Sequence, residues 1–480
     1  MTHTSSHLGR ELRAFQFFTL AFGAVVGAGW AVVLGDWLSR AGPIGAMVGL
    51  AAGGGVVVII GLCYAEVSTL LPASGGEVAY AYEVFGERAC FLTGWLLAFT
   101  YIVVAAFEAI SIGWIIAALL PGLDGPVLYH VVGGEVRAGA LAVGLCGMGV
   151  LTFLNYRGAR AAARLQDALI IAVLALSAIF ICAGIGHGRV ANLQPYFQRT
   201  GGGSLWPGVL GMFMTASFWF GGFNVGPQAL EEKAPGTRLS RIGVMIVASI
   251  VVGIVFKVLV ILAASMSTPW RELTQAPVPV AAAFERAFGS VTLARLVLVT
   301  ALCGLLGTWN SVLLAAARTL YALGRAGYIA PVFGGVRGEY GSPGFAVLFA
   351  GGVAALATLL GRNAIEPIVD AAASCLAVAY LLTCLALIRL RRTAPTMPRP
   401  FRVPGGVATA RAASVGAAFS LALSIYEPYA AAAGHIPLEW LLLGGWLAVG
   451  LTFWTAARAA RRRIPDALRR QIISGRAYES

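Results

Sequence analysis

Gly23-Ala24-Val25-Val26-Gly27-Ala28-Gly29-Trp30 and Phe218-Trp219-Phe220-Gly221-Gly222-Phe223-Asn224-Val225-Gly226-Pro227 decide how this chain folds. Each stretch lies near the middle of a long apolar run, 14–38 for the first and 206–230 for the second. Glycine in a helix interior costs about 0.5–1 kcal/mol relative to alanine. Clusters at matching depths therefore predict two helices broken near a membrane midplane. A bilayer tolerates such a break only where protein or a water-filled cavity satisfies the freed backbone groups. The broken ends carry partial charge: N–H ends suit a carboxylate, C=O ends an ammonium or another cation. Two facing breaks can thus hold the backbone of a zwitterion and leave its side chain free. The competing reading is close helix packing through glycine, and the matching positions weigh against it.

Composition agrees with a membrane setting. Of 480 residues, 59% are hydrophobic and 11% charged, and the mean hydropathy is +0.82. A soluble domain carries about 45–50% apolar and about 25% charged residues. A soluble enzyme, a disordered chain and a coiled coil are excluded. With about 20 apolar residues per spanning helix, twelve runs qualify: 14–38, 43–70, 89–119, 138–154, 165–186, 206–230, 240–266, 292–323, 343–360, 364–389, 407–430 and 437–457. The first is too long for a signal peptide and is read as a retained helix. If the runs holding the two glycine clusters each begin a five-helix repeat, the odd number inverts the second repeat. The expected fold is an all-α integral membrane protein of twelve transmembrane helices. It divides into a cytoplasmic N-terminus (1–13), a transporter domain (14–457) with inverted repeats at 14–186 and 206–389 and two further helices at 407–457, and a basic cytoplasmic tail (458–480).

Net charge is +13. In a soluble protein this suggests nucleic acid, but here the arginines sit in loops. With the N-terminus inside, about 25 basic residues fall in cytoplasmic loops and about 7 in the opposite ones, a positive-inside pattern. The expected location is the cytoplasmic (inner) membrane of a bacterium, multi-pass, with both termini cytoplasmic and no nucleic-acid partner. The short basic tail reads as a membrane-surface helix. Seven cysteines without a CxxC pair and five histidines without HExxH spacing support neither a disulfide framework nor a metal site. No GxxxxGK[ST] loop is present, so ATP drive is not expected, and without a His/Cys/Asp constellation neither a cofactor nor enzymatic activity is expected.

Longer motifs point to a family. Val26-Gly27-Ala28-Gly29, Tyr64-Ala65-Glu66, Leu71-Pro72-Ala73-Ser74-Gly75-Gly76-Glu77-Val78-Ala79-Tyr80-Ala81-Tyr82 and Gly94-Trp95 lie in the first half. Gly222-Phe223-Asn224, Glu231-Glu232-Lys233-Ala234-Pro235, the stretch from Arg318 to Gly327 and Arg399-Pro400-Phe401-Arg402-Val403-Pro404 follow. From about residue 12 to about 404 the chain resembles the amino acid–polyamine–organocation (APC) permeases, which have the LeuT-like fold. The resemblance implies uptake or exchange of an amino acid or a related small amine by alternating access. It implies that the helix-1 break gives N–H groups to the substrate carboxylate. The helix-6 break, Phe218 to Gly222, would give carbonyls to the amine and an aromatic lid. The substrate-binding set expected on this basis is Val26, Gly27, Ala28, Gly29, Trp30, Thr100, Phe218, Trp219, Phe220, Gly221, Gly222, Asn224 and Trp309. Three departures stand out. Trp30-Ala31 replaces the family's Ile-Phe, so Trp30 either narrows the site as a gate or packs outward. Val173 stands where several proton-coupled members carry a helix-5 lysine. Thr100 stands where some cationic amino acid transporters carry an acid.

Ionisable groups inside spans are costly and are functional candidates. Glu108 and Lys257 lie at similar depth in the third and seventh runs. They read either as a pair that lines the site and couples protonation to transport, or as a structural ion pair or snorkelling lysine. Glu366 and Asp370, four apart, form either an outer acidic vestibule or a solvated helix start. Thr308 and Ser311 offer hydroxyls to a sodium ion beside the helix-1 break, and Trp309 offers a stacking face. Proton or sodium are thus both candidate coupling ions, and the assembly is expected to be a monomer or homodimer. Two alternatives to the amino acid permease are a non-transporting sensor on the same fold, disfavoured by the short tail, and an exchanger of polyamines or amines.

Overall fold

The computed structural model describes residues 12–27, 29–73, 75–131, 134–157, 159–199, 203–276, 278–336, 341–431 and 435–474. In chain order the helices of its first half are α1 (Ala14–Val26), α2 (Gly29–Val32), α3 (Leu34–Leu70), α4 (Glu77–Phe85), α5 (Glu87–Leu119), α6 (Ala138–Tyr156) and α7 (Ala159–His187). Then come α8 (Trp206–Trp219), α9 (Val225–Gln228), α10 (Leu239–Ser267), α11 (Trp270–Leu273), α12 (Pro279–Phe288) and α13 (Val291–Arg325). Six helices close the chain: α14 (Gly344–Thr358), α15 (Ile365–Thr393), α16 (Val407–Ala431), α17 (Leu438–Ala456), α18 (Arg458–Arg463) and α19 (Asp466–Ser474).

Ten described stretches are long and apolar enough to cross a membrane, and α14 is a shorter apolar helix. The sixth expected run is not one helix. α8 has 14 residues, about 21 Å at 1.5 Å per residue, and stops at Trp219; the chain turns through Phe220–Asn224 before α9 resumes. Two helices meet inside α3: Gly42 is non-helical, and the second begins at Pro43, where the second run was expected to start. Gly42 has φ +69, and a Cβ there would lie 2.6 Å from the Gln198 backbone nitrogen. Only glycine permits both the conformation and the approach.

Burial orders the helices. The apolar window of Ala14–Val32 is 82% buried and that of Glu87–Ala117 83%, against 6% for Leu438–Ala456. The helix carrying the first break and α5 therefore form the centre, and α17 is peripheral. α1 packs on α10, α13 and α7; α5 packs on α13 and α15; α3 packs on α8 and α10. One element not anticipated is an antiparallel hairpin after α5, β1 (Val127–Val131) against β2 (Gly134–Arg137).

The tail corrects an expectation. α19 does not lie free on a membrane surface but docks on α4. Arg469 is buried and bonds Glu87, Asp466, and the carbonyls of Arg461, Ile464 and Ala326. Arg470 grips the Glu83 carboxylate with Nε at 3.0 and 3.1 Å and a terminal nitrogen at 2.6 Å. Glu83 and Glu87 offset the tail's positive charge, and buried Ile473 adds an apolar anchor.

Candidate functional site

The two breaks touch. α1 ends at Val26, Gly27 follows with φ +54, and α2 restarts at Gly29. Ala28 lies outside the described residues. Opposite, Gly222 has φ +94, and a Cβ on it would sit 2.7 Å from Ala24 Cβ and 2.9 Å from the Ala24 carbonyl carbon and oxygen. The indole of Trp219 lies directly against Gly29. Glycine at 27 supplies the positive φ; glycine at 222 supplies both the positive φ and the closeness of the two backbones.

Side chains satisfy the carbonyls freed at the end of α1. Lys257 Nζ, from α10, donates to Val25 O at 2.6 Å and to Val26 O at 3.4 Å, and stands 5.3 Å over the Phe220 ring. From α13, Thr308 Oγ1 donates to Gly23 O at 2.6 Å and Ser311 Oγ to Leu20 O at 3.4 Å. An ammonium at the C-terminal end of a half-helix is what the dipole favours. Glu108, buried on α5, faces the same break, its Oε1 lying 3.3 Å from where a Gly27 Cβ would be, and its charge acts on Lys257.

Between the breaks is a cavity of about 50 Å³. Its walls include Val26, Gly27, Gly29, Thr100, Glu108, Phe218, Trp219, Gly221, Gly222 and Thr308, all expected from the sequence. At about 10–15 Å³ of such space per water, it has room for a few waters. Tyr101, Val104, Phe107 and Leu376 also line it and were missed. Tyr101, Val104 and Glu108 are spaced i, i+3, i+7, one face of a helix; counting back from Glu108 finds them.

Other expected residues lie elsewhere. Trp30 is fully buried, stacked on Phe180 at 5.6 Å and edge-on to Phe256 at 5.5 Å, so it neither gates the cavity nor faces lipid. Trp309 is fully buried against Gly147 and offers no stacking face. Phe220 sits under Lys257 rather than in the wall. Ser311 reaches α1, and Asp370 is half-buried on α15 away from the cavity. The Glu366 side chain lies outside the described residues. Asn224 is buried below the cavity and bonds Glu77.

A helical membrane protein with two broken helices meeting at a buried central cavity has the build of a secondary transporter. The comparisons agree. The "Amino acid permease" family matches residues 12–445, and the chain belongs to that family. It is a membrane transporter. Branched-chain amino acid permease BcaP of Bacillus subtilis is 27% identical, covering 84% of this chain and 86% of its own. The methylthioribose transporter of the same organism is 25% identical, with 83% and 85% covered. Cationic amino acid transporter 9, chloroplastic, of Arabidopsis thaliana is 30% identical over 68% of this chain and 57% of its own.

Proposed function

We propose that the protein carries a small, mainly apolar amino acid across the cytoplasmic membrane of a bacterium by alternating access, with the substrate held where the two breaks meet. The observation that carries this reading is the contact of Gly222 with Ala24 beside a cavity whose walls, apart from Glu108 and a few hydroxyls, are Ala, Val, Phe, Leu, Trp and glycine. On this reading the chain crosses the membrane twelve times with both termini inside, as the arginine distribution favours. The two repeats are 14–186 and 206–389. The N–H end of α2 takes the carboxylate. Glu108 and the helix-6 carbonyls take the amine, and Phe218 and Trp219 close over the side chain. Lys257 occupies the C-terminal end of α1, where a free cation would otherwise bind, so transport needs no sodium.

The test is counterflow of labelled amino acids in proteoliposomes, in sodium and in choline buffer. Leucine or valine should exchange well above empty liposomes in both buffers, with competition by small apolar amino acids and not by aspartate. Binding without flux across a wide panel supports a sensor instead. Flux that requires sodium refutes the role given to Lys257.

A further inference from the structure

Three carboxylates are buried at the end of the molecule where α3 ends and α5 begins, and they differ in one respect. Glu66 is held by Arg391, with Nε at 2.9 Å and a terminal nitrogen at 2.5 Å, by Arg399 Nε at 3.2 Å, and by the Val403 amide at 2.7 Å. Glu232 is held by Arg318 at 2.8 and 2.9 Å. Glu77, the first residue of α4, is only 1% exposed and has no cation. It accepts from two amides, Asn224 Nδ2 at 2.6 Å and Gln228 Nε2 at 3.1 Å. Among the described residues no Lys, Arg or His lies within 4.0 Å of it. The titratable groups facing it are phenols: Tyr64 from α3, Tyr80 on α4 itself, Tyr101 from α5 and Tyr380 from α15. α9 and the turn before it contribute only Gln228 and Asn224.

A buried carboxylate without a countercharge favours its protonated form. Burial pushes the Glu77 carboxyl above the usual carboxylate range, against the opposing pull of the two amides. The hydrogen bonds around it point the same way. Each amide spends its N–H groups on Glu77 and on Tyr101 Oη, the latter at 2.6 Å from both. Asn224 Oδ1 and Gln228 Oε1 are left buried with no partner. A protonated carboxyl supplies the missing donor once either amide turns its oxygen toward it.

The location ties this proton to movement. Asn224 and Gln228 belong to the half of the broken helix beyond Gly222. Tyr101 is at once a wall of the central cavity and the partner of both amides. Separating α9 from α4 and α5 breaks all four of these bonds and brings water to Glu77.

We propose that Glu77 is the proton-binding site that couples this transporter to the proton gradient. It carries a proton while α9 is closed on α4. When α9 swings away, the carboxyl is hydrated and the proton passes from its oxygen to cytoplasmic water. The next proton arrives from the cavity side past the Tyr101 hydroxyl. This rests on the transport reading above, and the test separates the two.

Glu77→Gln keeps the shape and mimics the protonated state. Proteoliposomes containing wild type or variant are assayed for leucine counterflow without a gradient, and for accumulation under an inward proton gradient with the membrane potential clamped. One proton per substrate supports about tenfold accumulation per pH unit. Wild type should accumulate leucine; Glu77→Gln should lose accumulation yet keep counterflow within about threefold. Accumulation retained by Glu77→Gln, or counterflow without pH-driven accumulation in wild type, overturns the proposal alone. No counterflow in wild type overturns the transport reading and this one with it. Should the Gln variant not fold, Glu77→Asp reads the same point: a displaced pH midpoint of uptake supports the proposal and an unchanged one overturns it.

Discussion

Adding one methyl group at Gly222 should cripple transport, and the size of the effect follows from two costs. Gly222 sits at φ +94, where an L-residue costs about 1–2 kcal/mol. The new Cβ would meet Ala24 Cβ at 2.7 Å and the Ala24 carbonyl carbon and oxygen at 2.9 Å, against an optimal carbon–carbon separation of about 3.5–4.0 Å. The obstacle is backbone rather than the end of a flexible side chain, so the overlap cannot be relieved locally. Overpacking of this kind costs about 1–3 kcal/mol. Together, Gly222→Ala disfavours the state in which the breaks meet by about 2–5 kcal/mol, about 30-fold or more in population. Two controls isolate the cause. At Gly221 the closest atom is Leu376 Cδ1 at 2.9 Å and φ is not positive, so alanine there should cost less; at Gly444 nothing lies within 4 Å, so alanine there should be silent. The assays are leucine counterflow and the thermal midpoint in detergent. A Gly222→Ala protein with counterflow within twofold of wild type and an unchanged midpoint would refute the meeting of the two breaks.

Two further outcomes test the end of the molecule where α3 ends. Glu66→Ala strands Arg391 and Arg399 at a buried site; removing one partner of such a cluster costs about 3–5 kcal/mol. A large fall in thermal midpoint, barely altered by salt, is expected, and a midpoint within a degree or two of wild type would count against the cluster. In the tail, Arg469→Ala removes a buried guanidinium, whereas Arg470→Ala removes a half-exposed pair with Glu83 worth about 1 kcal/mol or less. The first should lower the midpoint clearly more than the second; the reverse order would contradict the docking of α19 on α4.

Some of this was legible in one dimension and some was not, for physical reasons. Glycine announces a break because its cost inside a helix needs a compensating use, so Gly27 and Gly222 were found by position alone. Direction is another matter. Trp30 adjoins the break in sequence, but the short α2 turns its ring toward Phe180 and Phe256; Trp309 shares a helix with Thr308 yet projects to a different neighbour, Gly147. The boundary expected at 43 is there, because Gly42 leaves the helical conformation just before Pro43. The hairpin left a readable trace in the β-branched and aromatic Val127–Val131, with a Gly-Gly pair after it. The tail's arginines looked like a lipid-facing surface because their carboxylate partners, Glu83 and Glu87, lie almost 400 residues away in sequence.

The position of Lys257 also alters what the break can ask of a substrate. A symmetric pair of half-helix ends offers an amino acid a donor end for its carboxylate and an acceptor end for its amine. Here the acceptor end of α1 is already filled, because Val25 O and Val26 O receive the ammonium of Lys257, and Gly23 O receives Thr308. A zwitterion bound on the proposed reading can therefore use α1 and α2 only through N–H groups, and its amine must find its acceptor on the opposite wall. That wall holds Glu108 and the carbonyls around Gly221. Glu108, in the cavity wall beside Gly27, stands where the amine of the proposed substrate would go. On the two proposals the buried acids divide the labour: Glu108 meets the substrate amine, Glu66 and Glu232 are locked by arginines, and Glu77, held by amides with no cation beside it among the described residues, takes up and releases a proton as the helix below the cavity moves.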